Sequence, residues 1–119
     1  MERDTEAFIE GLSEEIIITS DPVLQYLMVD ALHMLAIVHD TKEQRAAFTK
    51  RGLEFAEHEK ADKVVKKWLG PLLNNAGWDA LEDGDFNQAI ALFIRAVAER
   101  KEALDDFHVR KVASNMHLQ

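Results

Sequence analysis

Cysteine is absent from the 119 residues, which excludes disulfide frameworks, thiolate zinc sites and cysteine nucleophiles by inventory alone. Proline occurs twice and glycine five times, so the chain has few built-in stops, and its β-branched residues form no alternating runs. Positive charge is also short. Lys and Arg number 14 against 22 Asp and Glu, a net charge of -8, and such a surface repels phosphate backbones unless a dense basic patch overrides it. The basic stretches are Lys60 to Lys67, spread around a helix and diluted by Asp62, and the pair Arg110-Lys111; nucleic acid is not an expected partner. No apolar run approaches the roughly 18 residues of a membrane span. The acidic start Met1-Glu2-Arg3-Asp4 lacks the basic-then-apolar pattern of a secretory signal. The reading is a cytoplasmic protein with no membrane partner.

What is present is the material of one folded domain. Apolar residues make up 47% and charged residues 30%, a balance that supports a packed core and excludes a disordered tail. Apolar residues recur at three- and four-residue intervals nearly throughout, so the chain is expected to be all-α, with about six helices in successive antiparallel hairpins. The first spans about residues 5–18, with Phe8, Ile9, Leu12, Ile16 and Ile17 on one face. A second follows Ser20 or Asp21 as cap, with Pro22 in its first turn, and runs to about His39. Thr41 with Gln44 forms a capping box for a third, ending near Glu59. A fourth covers about residues 61–82 and is expected to break or kink at Gly70-Pro71. Asp85 with Gln88 caps a fifth, running to about Leu104, and a short sixth covers about residues 106–117.

Residues 70–96 read Gly-Pro-Leu-Leu-Asn-Asn-Ala-Gly-Trp-Asp-Ala-Leu-Glu-Asp-Gly-Asp-Phe-Asn-Gln-Ala-Ile-Ala-Leu-Phe-Ile-Arg-Ala. Small residues at Gly77, Ala89 and Ala96, a turn glycine at Gly84 and aromatics at Phe86 and Phe93 resemble a tetratricopeptide repeat, two antiparallel helices in about 34 residues. Ala76 and Ala80 replace larger residues usual in that family, and Lys101 stands where its repeats often end in proline. The match covers residues 70–103. Residues 21–59 have the size of a degenerate hairpin of the same kind, with Ala36, Ala46, Phe48 and Gly52 out of register. The domain then divides into an N-terminal helix (1–20), this hairpin, the repeat-like hairpin and a C-terminal capping helix (105–119). The capping helix offers Phe107, Val109, Val112 and Met116 to the core.

The resemblance implies that the first helix of each hairpin lines a groove for a peptide partner. In the fourth helix that face is Asn74, Trp78, Leu81 and Glu82, with Trp78 as a flat anchor; the competing reading packs Trp78 against the preceding hairpin. In the second, apolar almost all round and therefore central, Tyr26, Asp30, His33 and Ile37 fall at i, i+4, i+7 and i+11 and share a face. They suit a groove, or equally a buried Tyr-Asp-His hydrogen-bonded set. Asp30-x-x-His33 has the spacing of a carboxylate–His metal motif, but the other donors, Glu54, Glu57 and His58, lie in a charged run that reads as solvated surface. No metal or cofactor is expected.

The carboxylate pairs Glu14-Glu15 and Asp105-Asp106 diverge around a helix axis, and Ser13, Ser20 and Ser114 lack a nucleophile-elbow context. No catalytic residues are assigned. Lys66-Lys67-Trp68 reads as helix surface that could meet an acidic partner or lipids. The expected function is an adaptor or scaffold that holds a protein or peptide in a helix-lined groove. The alternatives are a small-ligand sensor or enzyme accessory with Asp30 and His33 in a central pocket, and a self-associating unit such as a homodimer.

Overall fold

The computed structural model describes the backbone of residues 2–118 and the side chains of residues 5–105 and 111. It is all-α: α1 (Glu2–Ile17), α2 (Pro22–Val38), α3 (Lys42–Glu57), the single turn α4 (Lys63–Lys66), α5 (Leu69–Glu82) and α6 (Phe86–Leu118). The helix starts follow local chemistry. The Asp21 carboxylate accepts from the Val23 and Leu24 amides at 2.9 and 3.3 Å, with Pro22 opening the helix. Thr41 accepts from Gln44 at 3.2 Å and Asp85 from Gln88 at 3.2 Å. Each cap satisfies an amide that the first turn leaves without a carbonyl.

The turn after α5 closes by paired bonds, Asp85 N–H to the Ala80 carbonyl at 2.9 Å and Gly84 N–H to Leu81 at 3.0 Å. This Schellman pattern requires a left-handed residue, supplied by Gly84 at φ 80°. Arg45 of α3 closes the far end of α2 by donating to the His39 and Asp40 carbonyls at 2.9 and 3.0 Å.

Two boundaries differ from those expected. The break in the fourth helix falls at Lys67 and Trp68 rather than at Gly70-Pro71, because Pro71 lies in the first turn of α5, where the missing amide leaves no bond unmade. Gly70, lacking a Cβ, also escapes part of the clash that proline imposes on its predecessor. The fifth and sixth helices are one, since α6 runs unbroken for 33 residues. After Gly84 the chain contains neither glycine nor proline, and Asp105-Asp106 cannot stop a helix whose next carbonyl bonds are available. The capping side chains expected at Phe107, Val109, Val112 and Met116 lie outside the described residues.

The hairpins are α2–α3 and α5–α6, stacked through α3 against α5, while α1 and α4 pack on α2. Met28, Val29, Leu32, Phe48, Phe55, Val65 and Leu72 fill the core between them. Small residues set the crossings. A Cβ on Gly52 would lie 2.9 Å from a Leu72 methyl, and one on Gly77 2.7 Å from the Phe93 ring. Surface ion pairs Lys42–Asp83 (2.6 Å) and Arg95–Glu57 (3.2 Å) tie α3 to the turn after α5 and to α6. Exposed pairs of this kind contribute little.

One buried polar side chain joins the segments around α2. Gln25, with no solvent exposure, donates to the Ile17 carbonyl at 3.2 Å and the Lys60 carbonyl at 3.1 Å, and accepts from the Asp62 amide at 2.8 Å. Gln25→Met keeps the volume and strands these backbone groups, so it should cost about 2–4 kcal/mol in urea unfolding. Gly77→Ala should cost about 1–3 kcal/mol by driving a methyl into Phe93, with Phe93→Leu in the same chain recovering part of the loss.

Candidate binding surfaces

The sequence of α2 is apolar almost all round, and the core takes only half of it. Gln25, Met28, Val29, Leu32 and Ala36 face inward. On the opposite side Val23, Leu27, Met34 and Val38 are 64, 55, 50 and 61% exposed. A helix that is apolar nearly all round belongs in an interior, so this face is a bare surface on a helix whose other side is buried.

Tyr26, Asp30, His33 and Ile37 form the flank between these two sides. The Tyr26 ring meets Trp68 edge-on at 6.1 Å and the His33 ring lies 5.0 Å from it, while Asp30 is half-buried and Ile37 exposed. No hydrogen bond joins Tyr26, Asp30 and His33 among the described residues. Trp68, at the junction of α4 and α5, is thus the partner of the α2 flank, a role the sequence reading did not give it.

On α5, Trp78 is 54% exposed and rests edge-on against Phe93 of α6 at 5.6 Å. Its ring partner is therefore on the following helix. Asn74 and Leu81 are half-buried beside it and Glu82 is exposed. The two sets of expected groove residues therefore have separate anchors, Trp68 for one and Phe93 for the other, and no ring contact joins them. The Trp78 surface continues along α6, where Phe86, Ile90, Ile94, Val97 and Leu104 are all more than half exposed. This stripe went unread, although Ile90, Val97 and Leu104 recur every seven residues.

A cleft of about 610 Å³ opens between α1 and α3, with Ile17 and Phe55 at its apolar part and Glu14, Lys50, Arg51 and His58 among its polar lining. It does not include Asp30 or His33. Among the described residues no three side chains converge as metal ligands, and no helix is long and apolar enough to cross a membrane.

Among the described residues, the carboxyl perturbed by its place in the packing is Asp79, half-buried where α5 meets α3. Burial pushes its pKa above the ordinary carboxylate range, and the charges of Glu82 and Asp83 push the same way; Arg45 and a hydrogen bond to Thr49 oppose them. These are intramolecular neighbours, so the group belongs to the packing.

Compared with known proteins, the chain matches no family model, no curated protein and no solved structure. The surfaces themselves are what bears on function.

A carboxyl whose folded pKa is raised binds its proton more tightly in the folded state, so its contribution favours folding at low pH and is lost as pH rises through the folded pKa. Asp79→Asn removes that loss. The variant should melt at a higher temperature than the parent at pH 7, and the gap should close as the pH falls towards 4. Thermal melts across that range check both signs.

Proposed function

We propose that the chain is a protein-interaction module, an adaptor or scaffold that holds a partner segment against the outer face of α2. The observation that carries this reading is the row Val23, Leu27, Met34 and Val38, each at least half exposed on a helix whose other side is locked in the core. Contiguous exposed apolar surface of several hundred Å² is characteristic of interaction sites. A rigid backbone behind it lowers the entropy lost on binding.

The partner's chemistry follows from the surroundings. Tyr26 and Ile37 extend the apolar area, and α4, packed against α2, carries exposed Lys63 and Lys66, followed by exposed Lys67 at its C-cap. On a chain of net charge -8 this is a local positive margin. It fits an amphipathic protein segment with an apolar face and acidic residues along one edge. Two stacked helical hairpins and the tetratricopeptide-like pattern at residues 70–103 support a binding role, with Asn74, Trp78, Leu81 and Glu82 on the second hairpin as a separate contact surface. The reading calls for no cofactor, metal, nucleic acid or catalytic step, and places the protein's work in the cytoplasm.

The double variant Leu27→Glu, Met34→Glu tests it. Both sites are exposed, so folding should be little affected. Affinity for a partner captured by the parent chain from its native host should fall at least tenfold, about 1.4 kcal/mol. Equal capture by parent and variant, with unchanged helical signal in both, would remove the α2 face from consideration.

A further inference from the structure

The cleft between α1 and α3 takes no part in the α2 surface, and the bonds around it explain why it exists. α1 is tied at two places. Near its start Arg51 of α3 donates to the Glu6 carbonyl at 3.3 Å and lies 4.0 and 3.8 Å from the Glu6 and Glu10 carboxylates. At its last residue the Ile17 carbonyl accepts from Gln25 at 3.2 Å. Ser13 and Ala47, both small, line the space that these ties leave, and Ser13 turns its hydroxyl back onto the Ile9 carbonyl at 2.8 Å. The result is a cleft of about 610 Å³, inside the range of roughly 300–1,000 Å³ typical of small-molecule sites.

Its lining divides by chemistry. Ile17 and Phe55, both buried, and the exposed Ile18 supply the apolar part. Of the charged groups, Arg51 is already occupied by Glu6 and Glu10. That leaves Glu14 and Glu54 against Lys50, and among the described residues none of the three has an ion-pair or hydrogen-bond partner. Glu14 lies one helical turn before Ile17, which sets a carboxylate directly beside the apolar part. The Nδ1 of His58 accepts from the Lys60 amide at 3.0 Å, so the ring proton is on Nε2 and the side chain offers a ligand a donor but no acceptor. Two carboxylates against one ammonium leave the cleft negative, on a chain whose net charge is -8.

We propose that this cleft binds a small organic amine, with the apolar body of the ligand against Ile17, Ile18 and Phe55 and its ammonium group on the Glu14 and Glu54 carboxylates. An ammonium carries three donors and no acceptor, so it can serve two carboxylates at once. The negative field of the whole chain raises the local concentration of cations. An anion of the same shape has one exposed lysine to pair with and two carboxylates to repel it. A neutral molecule gains only the apolar contact. The order of preference is therefore amine, then neutral molecule, then acid. Glu14 and Glu54 are exposed, so salt screens their attraction while the apolar contact is left in place.

Three probes of one shape, naphthylmethylamine, naphthylmethanol and naphthoate, titrated into the full chain near neutral pH with ligand-observed NMR, read this order. The amine should bind at least about tenfold more tightly than the acid, with the alcohol between them, and added salt should narrow the gap. Glu14→Gln with Glu54→Gln should weaken the amine to the level of the alcohol and leave the alcohol unchanged. Glu102→Gln with Asp105→Asn on α6 removes the same charge outside the cleft and should leave the amine's affinity within about twofold. Ser13→Phe should fill the cleft and abolish binding of amine and alcohol alike; Ala47→Phe, on the other wall, gives the same reading should Ser13→Phe lower the helical signal. Absence of saturable binding by the amine would overturn the proposal. So would an acid that binds as tightly, an amine as sensitive to the α6 substitutions as to those in the cleft, or binding that survives the filling substitutions with the helical signal intact.

Discussion

The packing around α2 depends on the Gln25 carboxamide. It makes three hydrogen bonds, to the end of α1, to the loop after α3 and to the amide of Asp62, and Asp62 in turn caps α4 through the Val64 amide at 3.1 Å. Irregular backbone cannot be buried unless its polar groups find partners, and here one fully buried side chain serves both the end of α1 and the loop between α3 and α4. Its satisfied donors and acceptor let α1 and α4 close on α2 without stranding a carbonyl or an amide, and they fix α4 so that Trp68 lands against Tyr26 and His33. The bare side of α2 is the consequence. With Gln25, Met28, Val29, Leu32 and Ala36 held inward, Val23, Leu27, Met34 and Val38 have no choice of direction.

The second hairpin is organised by volume rather than by polarity. Gly77 lets the Phe93 ring lie against the α5 backbone, and Gly52 makes the same room for Leu72 where α3 crosses α5. Phe93 is then in position to support Trp78 from below. The same close crossing aligns α5 with only the first half of α6, because α5 starts at Leu69 and α6 does not stop. Surface is left bare on the first half of α6, and the backbone of its second half extends beyond the start of α5.

Much of the fold was legible because it rests on local chemistry. Asp21-Pro22, Thr41 and Asp85 announce helix starts through short-range bonds, and Gly84 announces a turn through a conformation other residues resist. The break near Gly70-Pro71 was misplaced by three residues because proline in a first turn and proline in a helix interior look alike in a sequence. The merger of the last two helices was missed because Asp105-Asp106 resembles a cap, whereas the absence of glycine and proline after Gly84 was the stronger signal. Gln25 was overlooked for a related reason. It sits in register with Met28, Val29, Leu32 and Ala36, but a glutamine on an apolar helix is ordinarily read as solvated. Of the expected groove residues, Tyr26 and His33 share Trp68 as a neighbour and Trp78 is 54% exposed. That their anchors are Trp68 and Phe93 depends on tertiary contacts between residues on different helices, which spacing alone does not encode.

A binding surface on α2 requires α2 to be rigid before any partner arrives, and native-state amide hydrogen exchange measures that rigidity residue by residue. The Asp62 amide and the central amides of α2 are expected to exchange only through global unfolding, with the same free energy as the slowest sites in α3. Exchange of α2 or Asp62 by local opening, well ahead of α3, would contradict a frame locked by Gln25, and with it a preformed face.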